Sequence, residues 1–472
     1  MATGSSLTLA SPASPTEGDK LTFHWTTDAP DAKNWVGIYD GTRQPGTGSS
    51  LLWKYTPGSS GDIQLDTSAL TGGPYTAYLL AKDGYGILAQ TAPFTFRPKP
   101  APVRPHLAVD ALTATAVAPG AAVSVRLGGL WCRAAGMPTF RKVSGPSWLS
   151  VAADGTVTGT APTTTGEVQL LVGVKDTAGV TDALTLTVPV TDPAGPLRLK
   201  VASWNLAEAG AAFTDAPEKQ LRVILAQGLD VLALQETAGT AAQSLAGALG
   251  WYAYQSAGSV GILSRYPLTA VTAVTASLPA AGATLQLPGG RAVRFWAAHL
   301  DEADYGPYAV QDGRSAAQVE AAETASTRGR QAKALAAAVQ ADVTAGRAVV
   351  LGADLASPSH LDWTAATAAS HNGVGPLGWS VTVALQDAGL ADSYRHAHPD
   401  PVAAPGNTWS PTRKQRGTKP EPQDRIAAVH FAGPLTTVEA HTLATGWPQP
   451  EPNAAGNGWP SDCAAAVATF QL

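Results

Sequence analysis

Alternating apolar and polar positions predict β-structure in the first hundred residues. Leu21–Trp25 alternates strictly, which is typical of a strand with one buried face. Further short strands are predicted at Trp35–Tyr39, Tyr75–Leu80 and Phe94–Phe96. Short strands separated by turn residues favour an immunoglobulin-like β-sandwich over residues 1–97.

A second all-β module is predicted over residues 106–192. The proline-rich segment 97–105 precedes it and is expected to be stiff and extended. Within the module, Pro146–Val151 and 155–162 resemble a bacterial immunoglobulin-like repeat, which places Trp148 in its core. The chain is therefore expected to begin with two immunoglobulin-like sandwiches.

From residue 198 onward, buried strands alternate with helical segments. The predicted elements are strands at Leu199–Trp204, Asp230–Gln235 and Ala348–Gly352 and helices at 219–227 and 322–345. Such alternation indicates an α/β or α+β domain over residues 198–472. A chain of 472 residues has room for three domains of ordinary size.

The charge balance gives no strong signal for nucleic-acid binding. The chain carries 31 basic and 36 acidic residues, a net charge of −5, whereas nucleic-acid sites favour dense Lys/Arg surfaces. One basic cluster, Arg413–Lys419, interrupts this pattern. A solvated surface loop is the favoured interpretation of that cluster, and an anion contact near a functional site is the alternative.

Cysteine content and hydropathy add little about the compartment. Cys132 and Cys463 fall in different predicted domains, so no disulfide is expected between them. No stretch is apolar and long enough to span a membrane, and the first residues lack the features of a signal peptide. A soluble protein is expected. A secreted protein without its leader would look the same, so the compartment stays open.

Polar residues follow several buried strands and are the candidates for chemistry. They are Asn205, Glu236, His299, Asp354 and, near the C-terminus, Asp462. A sheet fixes the position of residues at its strand ends, which is why catalytic groups often lie there. Taken singly, each also has a structural interpretation as a turn cap, a solvated carboxylate or a hydrogen-bonded histidine.

The order and spacing of these strand ends resemble the endonuclease/exonuclease/phosphatase superfamily. Gly261–Pro267, Asp424–Ile426 and Trp459–Asp462 extend the resemblance, which covers residues 198–470. That superfamily includes secreted DNases, neutral sphingomyelinases, inositol phosphate phosphatases and abasic-site endonucleases. The resemblance implies a four-layer α/β/β/α sandwich with the site at one edge. The expected fold is thus multidomain, with two all-β sandwiches followed by an α+β sandwich.

The resemblance also implies hydrolysis of phosphoesters with a bound divalent cation. Glu236 would be the principal metal ligand, with Asn205 and Asp462 supporting the metal or its waters. Oxygen ligands of this kind suit Mg²⁺ best. The cation would neutralise charge on the phosphoryl oxygen during attack by water.

Further roles follow from the same resemblance. His299 would stabilise the phosphate or assist the leaving group, and Asp354 would orient the attacking water. Asn205 and Arg265 would contact the substrate. These roles make His299 and Asp354 the leading catalytic candidates.

The sequence departs from the family pattern at three positions. Ala356 replaces the asparagine that contacts the phosphate, Cys463 replaces the general-base histidine, and Ala427 replaces the aspartate that orients that histidine. General base catalysis is worth about 10²–10⁴ in rate. Ordinary phosphoester hydrolysis is therefore expected to be impaired.

Cys463 itself has three interpretations. It could be a new catalytic nucleophile, or a soft ligand in a Zn²⁺ or Fe²⁺ site. It could also be a small apolar residue filling the space of the histidine, which is the favoured interpretation.

Three functional hypotheses remain open from the sequence. The first is a descendant that binds a small molecule or phosphoester, or converts it by a different reaction. The second is a weak metal-dependent phosphodiesterase or phosphatase. The third is a binding or adhesion protein that engages a partner protein through its β-sandwiches and needs no metal.

Overall fold

The computed structural model describes residues 4–40, 43–97, 104–133 and 136–472. Contacts divide the chain into two compact units, Met1–Val103 and Arg104–Leu472. Most of the predicted proline-rich linker lies outside the described residues. In the ranges that are described, every helix is too short or too polar to cross a membrane.

The first unit contains only β-strands. These are β1 (Ser6–Ser11), β2 (Leu21–Thr26), β3 (Trp35–Asp40), β4 (Leu52–Tyr55), β5 (Ser60–Leu65), β6 (Tyr75–Ala81) and β7 (Gly86–Gln90). They form one sheet in the order β1-β2-β5 and a second in the order β4-β3-β6-β7. Phe23 and Trp25 of the first sheet pack against Ile38 and Leu79 of the second, so the unit is a sandwich with one apolar core.

One strand predicted in this unit does not form. In the segment Phe94–Phe96, the backbone forms a single isolated β-bridge, between Phe94 and Tyr75. The aromatic side chains at both positions are nevertheless buried, and they complete the core of the sandwich. The apolar residues at positions 94 and 96 therefore reflect the burial of their side chains, not a β-strand.

The second unit begins with another β-rich module. Its strands are β8 (His106–Leu107), β9 (Ala111–Thr113), β10 (Ala122–Arg126), β11 (Trp131–Cys132), β12 (Pro138–Ser144), β13 (Leu149–Val151), β14 (Thr156–Thr160), β15 (Gly166–Asp176) and β16 (Thr181–Val190). They form sheets in the orders β12-β15-β16-β9, β10-β14-β13 and β11-β8. Trp148 was predicted in the core but is only partly buried, and Trp131 is the more deeply buried tryptophan.

The remainder of the chain is a layered α+β domain. Its strands are β17 (Arg198–Asn205), β18 (Val231–Gln235), β19 (Tyr252–Gln255), β20 (Gly261–Ser264), β21 (Leu268–Thr272), β22 (Ala280–Gln286), β23 (Ala292–His299), β24 (Val349–Asp354), β25 (Ala391–Asp392), β26 (Gln415–Arg416), β27 (Lys419–Pro420), β28 (Ala427–Ala432), β29 (Thr436–Leu443) and β30 (Ala465–Gln471). Its helices are α1 (Ala207–Gly210), α2 (Ala216–Ala226), α3 (Ala241–Leu249), α4 (Gly306–Gln311), α5 (Ala316–Ala325), α6 (Thr327–Thr344), α7 (Ser380–Asp387) and α8 (Ser393–Ala397).

Two six-stranded sheets form the centre of this domain. Their orders are β19-β20-β18-β17-β30-β29 and β21-β22-β23-β24-β28-β25. Val201 and Phe295 lie in the apolar layer between the sheets. On the outer faces, Leu234 packs with α2 and α3, and Leu351 packs with α6 and α7. The predicted four-layer sandwich is therefore confirmed.

The single helix predicted at 322–345 is two helices in the structure. Helix α5 ends and α6 begins at Ser326, which has an extended backbone. The Ser326 hydroxyl accepts from the Gly329 amide at 2.9 Å and donates to the Glu323 carbonyl at 2.6 Å. A serine that satisfies backbone groups in this way caps the second helix and separates it from the first.

The second β-module packs directly on helix α2 of the layered domain. Glu218 of α2 accepts from His106 at 2.9 Å and from Arg133 at 2.7 Å. Arg222, one turn later, donates to the Ala108 carbonyl at 3.2 Å. These contacts explain why the module and the layered domain form one compact unit. The division into three domains, and the immunoglobulin-like topology, stay predictions.

Candidate functional site

Two pairs of parallel strands bring the predicted residues to one edge of the sandwich. β17 and β18 are parallel, with Asn205 beside Gln235, so Asn205 and Glu236 lie at neighbouring strand ends. β23 and β24 are also parallel, and His299 lies opposite Asp354. Because each pair belongs to a different sheet, both sheets contribute to the site.

A cleft of about 350 Å³ opens at this edge. Its polar and ionisable lining includes Asn205, Glu236, His299, Asp354 and Cys463. An aromatic wall formed by Tyr305, Tyr308 and Trp409 faces these groups, and Arg413 lies at the same cleft. The cleft thus combines a cluster of carboxylates with an aromatic surface and one arginine.

Asn205 links the carboxylates of the two sheets. Its Nδ2 donates to Glu236 Oε1 at 2.7 Å and to Asp354 Oδ2 at 2.9 Å. Its Oδ1 accepts from the Ala207 amide at 2.9 Å, which fixes the orientation of the side-chain amide. Asn205 is 3% exposed, so the arrangement is held by the fold rather than by solvent.

Glu236 occupies a constrained position in the cleft. Its backbone has φ +50°, a left-handed conformation that non-glycine residues seldom adopt and that clusters at functional sites. Oε2 accepts from the Glu208 amide at 3.1 Å. Burial raises the pKa of Glu236, and the nearby charges of Asp462 and Asp354 add to the rise. A cation in the cleft would relieve that electrostatic cost.

His299 presents one ring nitrogen to the protein and the other to the cleft. Nδ1 is hydrogen-bonded to the Ser259 hydroxyl. Within the described part of the chain, Nε2 has no hydrogen-bond partner. A histidine oriented through Nδ1 leaves Nε2 available to a ligand.

Cys463 is enclosed by the fold. It is 2% exposed, and its amide donates to Ser461 Oγ at 3.0 Å, which in turn donates to the Asn205 carbonyl at 2.7 Å. Burial raises the pKa of the Cys463 thiol well above its ordinary value, and the charges of Asp462 and Asp354 raise it further. A thiol in these surroundings stays protonated at neutral pH. The surroundings therefore favour the interpretation as a filler over that as a nucleophile.

Asp462 is not among the residues that line the cleft, and it is held beside the cleft by Arg413. Arg413 Nη2 lies 3.2 Å from Asp462 Oδ2, and Arg413 Nε lies 3.3 Å from Glu451 Oε1. The guanidinium also lies over the Trp409 ring, 5.2 Å from its centroid. Burial raises the pKa of Asp462, an effect that Arg413 opposes. Within the basic cluster, only Arg413 lines the cleft among the described residues.

The structure does not bring Arg265 to this site. β20 runs antiparallel to β18, so the residue after β20 lies at the start of β18, on the opposite edge of the sheet. There, Arg265 pairs with Asp230 at 3.3 Å and donates to the Thr113 carbonyl at 3.0 Å. The predicted substrate contact of Arg265 is incompatible with this position. The roles predicted for the other candidates stay predictions.

Two alanines occupy positions at which the family resemblance implies an asparagine and an aspartate. Ala356 is 5% exposed and has φ +46°, a conformation in which asparagine is enriched among non-glycine residues. Ala427 is fully buried and pairs directly with Asp354 across β24 and β28.

A network behind the aromatic wall was not anticipated from the sequence. Glu421 accepts from Tyr308 Oη at 2.6 Å and from Trp409 Nε1 at 2.7 Å. Buried Arg328 donates to the carbonyls of Asp301 and Ala303, at 2.7 and 3.0 Å, and so fixes the loop before the wall. No sequence motif marks these aromatic residues as part of the site. They line the same cleft as the carboxylates only in the folded chain.

The described residues do not form a ready-made cation site. Over residues 4–40, 43–97, 104–133 and 136–472, no three His, Cys, Asp or Glu side chains converge closely enough to hold one ion. Mg²⁺ commonly keeps several waters and takes only one or two carboxylates, and its binding by Glu236 and Asp462 stays a prediction. A soft-metal site with Cys463 likewise stays a prediction.

Asp424 provides a pH-dependent test of the cleft architecture. It accepts from Trp363 Nε1 and Tyr305 Oη, each at 2.9 Å, and burial raises its pKa to about 6 despite these bonds. The folded state then binds more protons than the unfolded chain between pH 4 and 6, so stability falls as pH rises through that range.

Asp424→Asn is expected to remove this contribution. With the pKa of Asp424 raised to about 6, the natural protein should lose about 2 kcal/mol more stability than the variant between pH 4.5 and 7. Urea unfolding at the two pH values measures the difference. Asp387→Asn, at an exposed position, is the control. Identical pH dependence in natural protein and Asp424→Asn would contradict the assignment.

Comparison with known sequences identifies the family. The sequence profile of the Endonuclease/Exonuclease/phosphatase family matches residues 202–462, which is more than half of the chain. This chain belongs to the endonuclease/exonuclease/phosphatase family. An uncharacterized protein of Caenorhabditis elegans is 30% identical over 288 residues, which are 58% of this chain and 91% of the worm protein.

Solved structures of family members are also similar to the layered domain. An endonuclease/exonuclease/phosphatase from Beutenbergia cavernae is 18% identical, covering 58% of this chain and 72% of that chain with a TM-score of 0.36. A family protein from Bacteroides thetaiotaomicron is 13% identical, covering 59% of this chain and 99% of that chain with a TM-score of 0.40.

Proposed function

We propose that this protein keeps a cation-binding acidic cleft but has largely lost phosphoester hydrolysis. In this proposal the cleft binds a small-molecule or phosphoester ligand, or converts it by another reaction. The observation that carries the proposal is the buried cysteine, Cys463, at the position where the family resemblance implies a general-base histidine. A protonated thiol cannot accept the proton of an attacking water.

The environment of Ala427 supports the same proposal. Ala427 is packed in the apolar layer between the sheets, so position 427 itself supplies no carboxylate to orient a base. Loss of a histidine removes the need for its aspartate partner, which would otherwise be a buried, unpaired charge. The two replacements are thus consistent with one altered site.

The retained residues indicate what the cleft binds. A divalent cation held by Glu236 and Asp462 would supply positive charge that stabilises an anionic oxygen. Asn205 orients Glu236 and Asp354, and Arg413 offers a fixed guanidinium for an anionic ligand. The aromatic wall excludes water from one side of the cleft. These features support a compact anionic ligand.

A weak metal-dependent phosphodiesterase or phosphatase is the second candidate. The specific observation in its favour is His299, whose Nε2 faces the cleft without a protein partner while Nδ1 is held by Ser259. Such a histidine could accept a proton in place of the missing base. A protein-binding role for the β-sandwiches is compatible with either candidate.

Metal binding and hydrolysis, measured together, test the proposal. Mn²⁺ titration followed by electron paramagnetic resonance should show binding that Glu236→Gln weakens at least tenfold. Glu302→Gln is the matched control, because Glu302 lines the same cleft but is exposed and lies at its rim. The control should change the affinity by less than about threefold, as expected for a charge screened by water.

Hydrolysis is measured on the same samples with bis(p-nitrophenyl) phosphate and p-nitrophenyl phosphate. The natural protein should stay close to the protein-free rate in Mg²⁺, Mn²⁺ and Zn²⁺. EDTA-sensitive turnover with kcat/KM of about 10⁴ M⁻¹s⁻¹ or more, a rate ordinary for enzymes, would overturn the proposed loss of hydrolysis. Absence of Mn²⁺ binding would overturn the proposed cation site.

A further inference from the structure

The first unit carries a group of exposed aromatic side chains that the proposed function does not use. Trp53 and Tyr85 are 55% and 54% exposed, Tyr55 is 37% exposed, and Ile87 beside them is 38% exposed. Large apolar side chains exposed together are a marker of binding surfaces on soluble proteins. This group therefore requires a functional explanation.

The rings form a slot whose floor is Trp35. The sheet order β4-β3-β6-β7 places Trp53 of β4 and Tyr85, after β6, on opposite sides of Trp35 in β3. Their ring centroids lie 6.0 and 6.1 Å from that of Trp35, at interplanar angles of 77° and 73°. Gly37 makes room for the floor, since a Cβ there would come within 2.6 Å of the Trp35 ring.

Neighbouring contacts hold the slot in a defined shape. Trp35 Nε1 donates to the Gly84 carbonyl at 3.1 Å, which fixes the floor against the turn that carries Tyr85. Tyr55 extends the wall, with its ring centroid 5.1 Å from that of Trp53. A slot that is formed in advance loses little entropy when a ligand enters.

The polar groups described beside Tyr55 form one ion pair of opposite charges. Asp83 accepts from Tyr55 Oη at 2.6 Å and pairs with Lys33 at 3.0 Å. Lys33 also lies over the Tyr55 ring, 5.0 Å from its centroid. Because the carboxylate and the ammonium neutralise each other, the rim favours an uncharged ligand with hydrogen-bonding groups.

The size of the slot argues against a stable protein partner. Aromatic side chains offer about 150–250 Å² each, so the exposed parts of the three rings total only about 300 Å². A standard protein interface buries about 800 Å² on each partner. The slot is therefore suited to a ligand composed of small rings.

We propose that this slot binds a neutral carbohydrate. A sugar ring has an apolar C–H face, which can stack on Trp53 and Tyr85, and hydroxyl groups, which can bond to Asp83, Tyr55 and Lys33. The combination of exposed rings with a neutral polar rim matches both properties. The site lies in the first unit and does not depend on the chemistry of the acidic cleft.

The proposal is tested with the full chain and four named polysaccharides. The protein is mixed with insoluble cellulose, chitin, xylan or starch, and the fraction left in solution is measured after centrifugation. We expect retention on at least one of them, weakened at least tenfold by the double substitution Trp53→Ala and Tyr85→Ala. Trp447→Ala, which removes a tryptophan that is 92% exposed in the second unit, should leave retention unchanged.

Several outcomes would overturn the proposal. They are failure of the natural protein to bind any of the four polysaccharides, and equal retention of the natural protein and the double variant. Circular dichroism of the double variant checks that its fold is intact, as expected for exposed positions. Sedimentation velocity tests whether a second copy of this chain occupies the slot instead. If the natural protein self-associates and the double variant does not, the slot is a contact between copies of the chain instead.

Discussion

Restoring asparagine, aspartate and histidine at positions 356, 427 and 463 is expected to raise metal-dependent phosphodiester hydrolysis by about 10²–10⁴-fold. The reason is that, in the proposed function, Ala356, Ala427 and Cys463 occupy the positions of groups needed for hydrolysis, whereas Asn205 and Glu236 remain hydrogen-bonded in the cleft. The measurement is kcat/KM for bis(p-nitrophenyl) phosphate in Mg²⁺, with and without EDTA.

The backbone is already suited to two of these substitutions. Ala356→Asn places asparagine at φ +46°, a conformation that this residue adopts readily. Ala427→Asp adds a carboxylate directly opposite Asp354, which is unfavourable alone but is compensated when Cys463→His supplies a partner. Ala427→Asp by itself should therefore lower stability, and the pair of substitutions should recover part of the loss.

A matched variant distinguishes restored chemistry from changed packing. Ala356→Asn, Ala427→Asn and Cys463→Gln introduce side chains of similar size without the acid–base pair, so hydrolysis should stay low. The interpretation of the altered site is wrong if the restored variant folds, binds Mn²⁺ as tightly as the natural protein and still shows no hydrolysis. It is equally wrong if the matched variant gains the same activity.

Arg425→Met is expected to cost about 3–5 kcal/mol of unfolding free energy. Arg425 is 3% exposed, and its Nη2 lies 2.9 Å from Asp362 and 2.7 Å from Asp392. Asp362 has a second cation in Arg395, but Asp392 would be left as a buried carboxylate without a cation partner. The large cost comes from that unpaired charge more than from the lost attraction.

Urea unfolding followed by tryptophan fluorescence measures this cost. Arg416→Met is the control, because Arg416 pairs with Asp312 at 2.7 Å on the surface, where an ion pair is worth about 1 kcal/mol or less. Adding Asp392→Asn to Arg425→Met should restore part of the stability by removing the unpaired charge. A cost below about 1 kcal/mol for Arg425→Met would show that water or another cation reaches Asp392.

The acidic part of the site was predictable because it lies at strand ends. A buried apolar run precedes each of four candidates: Asn205, Glu236, His299 and Asp354. The end of such a run can be located from the sequence. Parallel pairing then brings such ends together at one edge of a sheet. The position of Asp462 followed from the family resemblance, since no periodic pattern marks the segment around it.

The predictions that failed depended on the direction of strand pairing and on the capping of a helix by a side chain. Arg265 follows a buried strand just as Glu236 does, but antiparallel pairing of that strand places it at the opposite edge. Helix 322–345 has continuous helical composition, yet the hydroxyl of Ser326 caps a new helix within it. Neither strand direction nor side-chain capping is visible in composition or hydrophobic period.

The sequence by itself determined that β-rich segments precede a four-layer α+β domain, and it determined the family. These follow from local periodicity and from motifs that each span a few residues. The tertiary structure alone decided that Cys463 is buried, that Arg413 and three aromatic residues line the cleft, and that exposed rings lie around Trp35. Burial, pKa and cavity shape depend on residues far apart in the chain, so only the folded arrangement sets them.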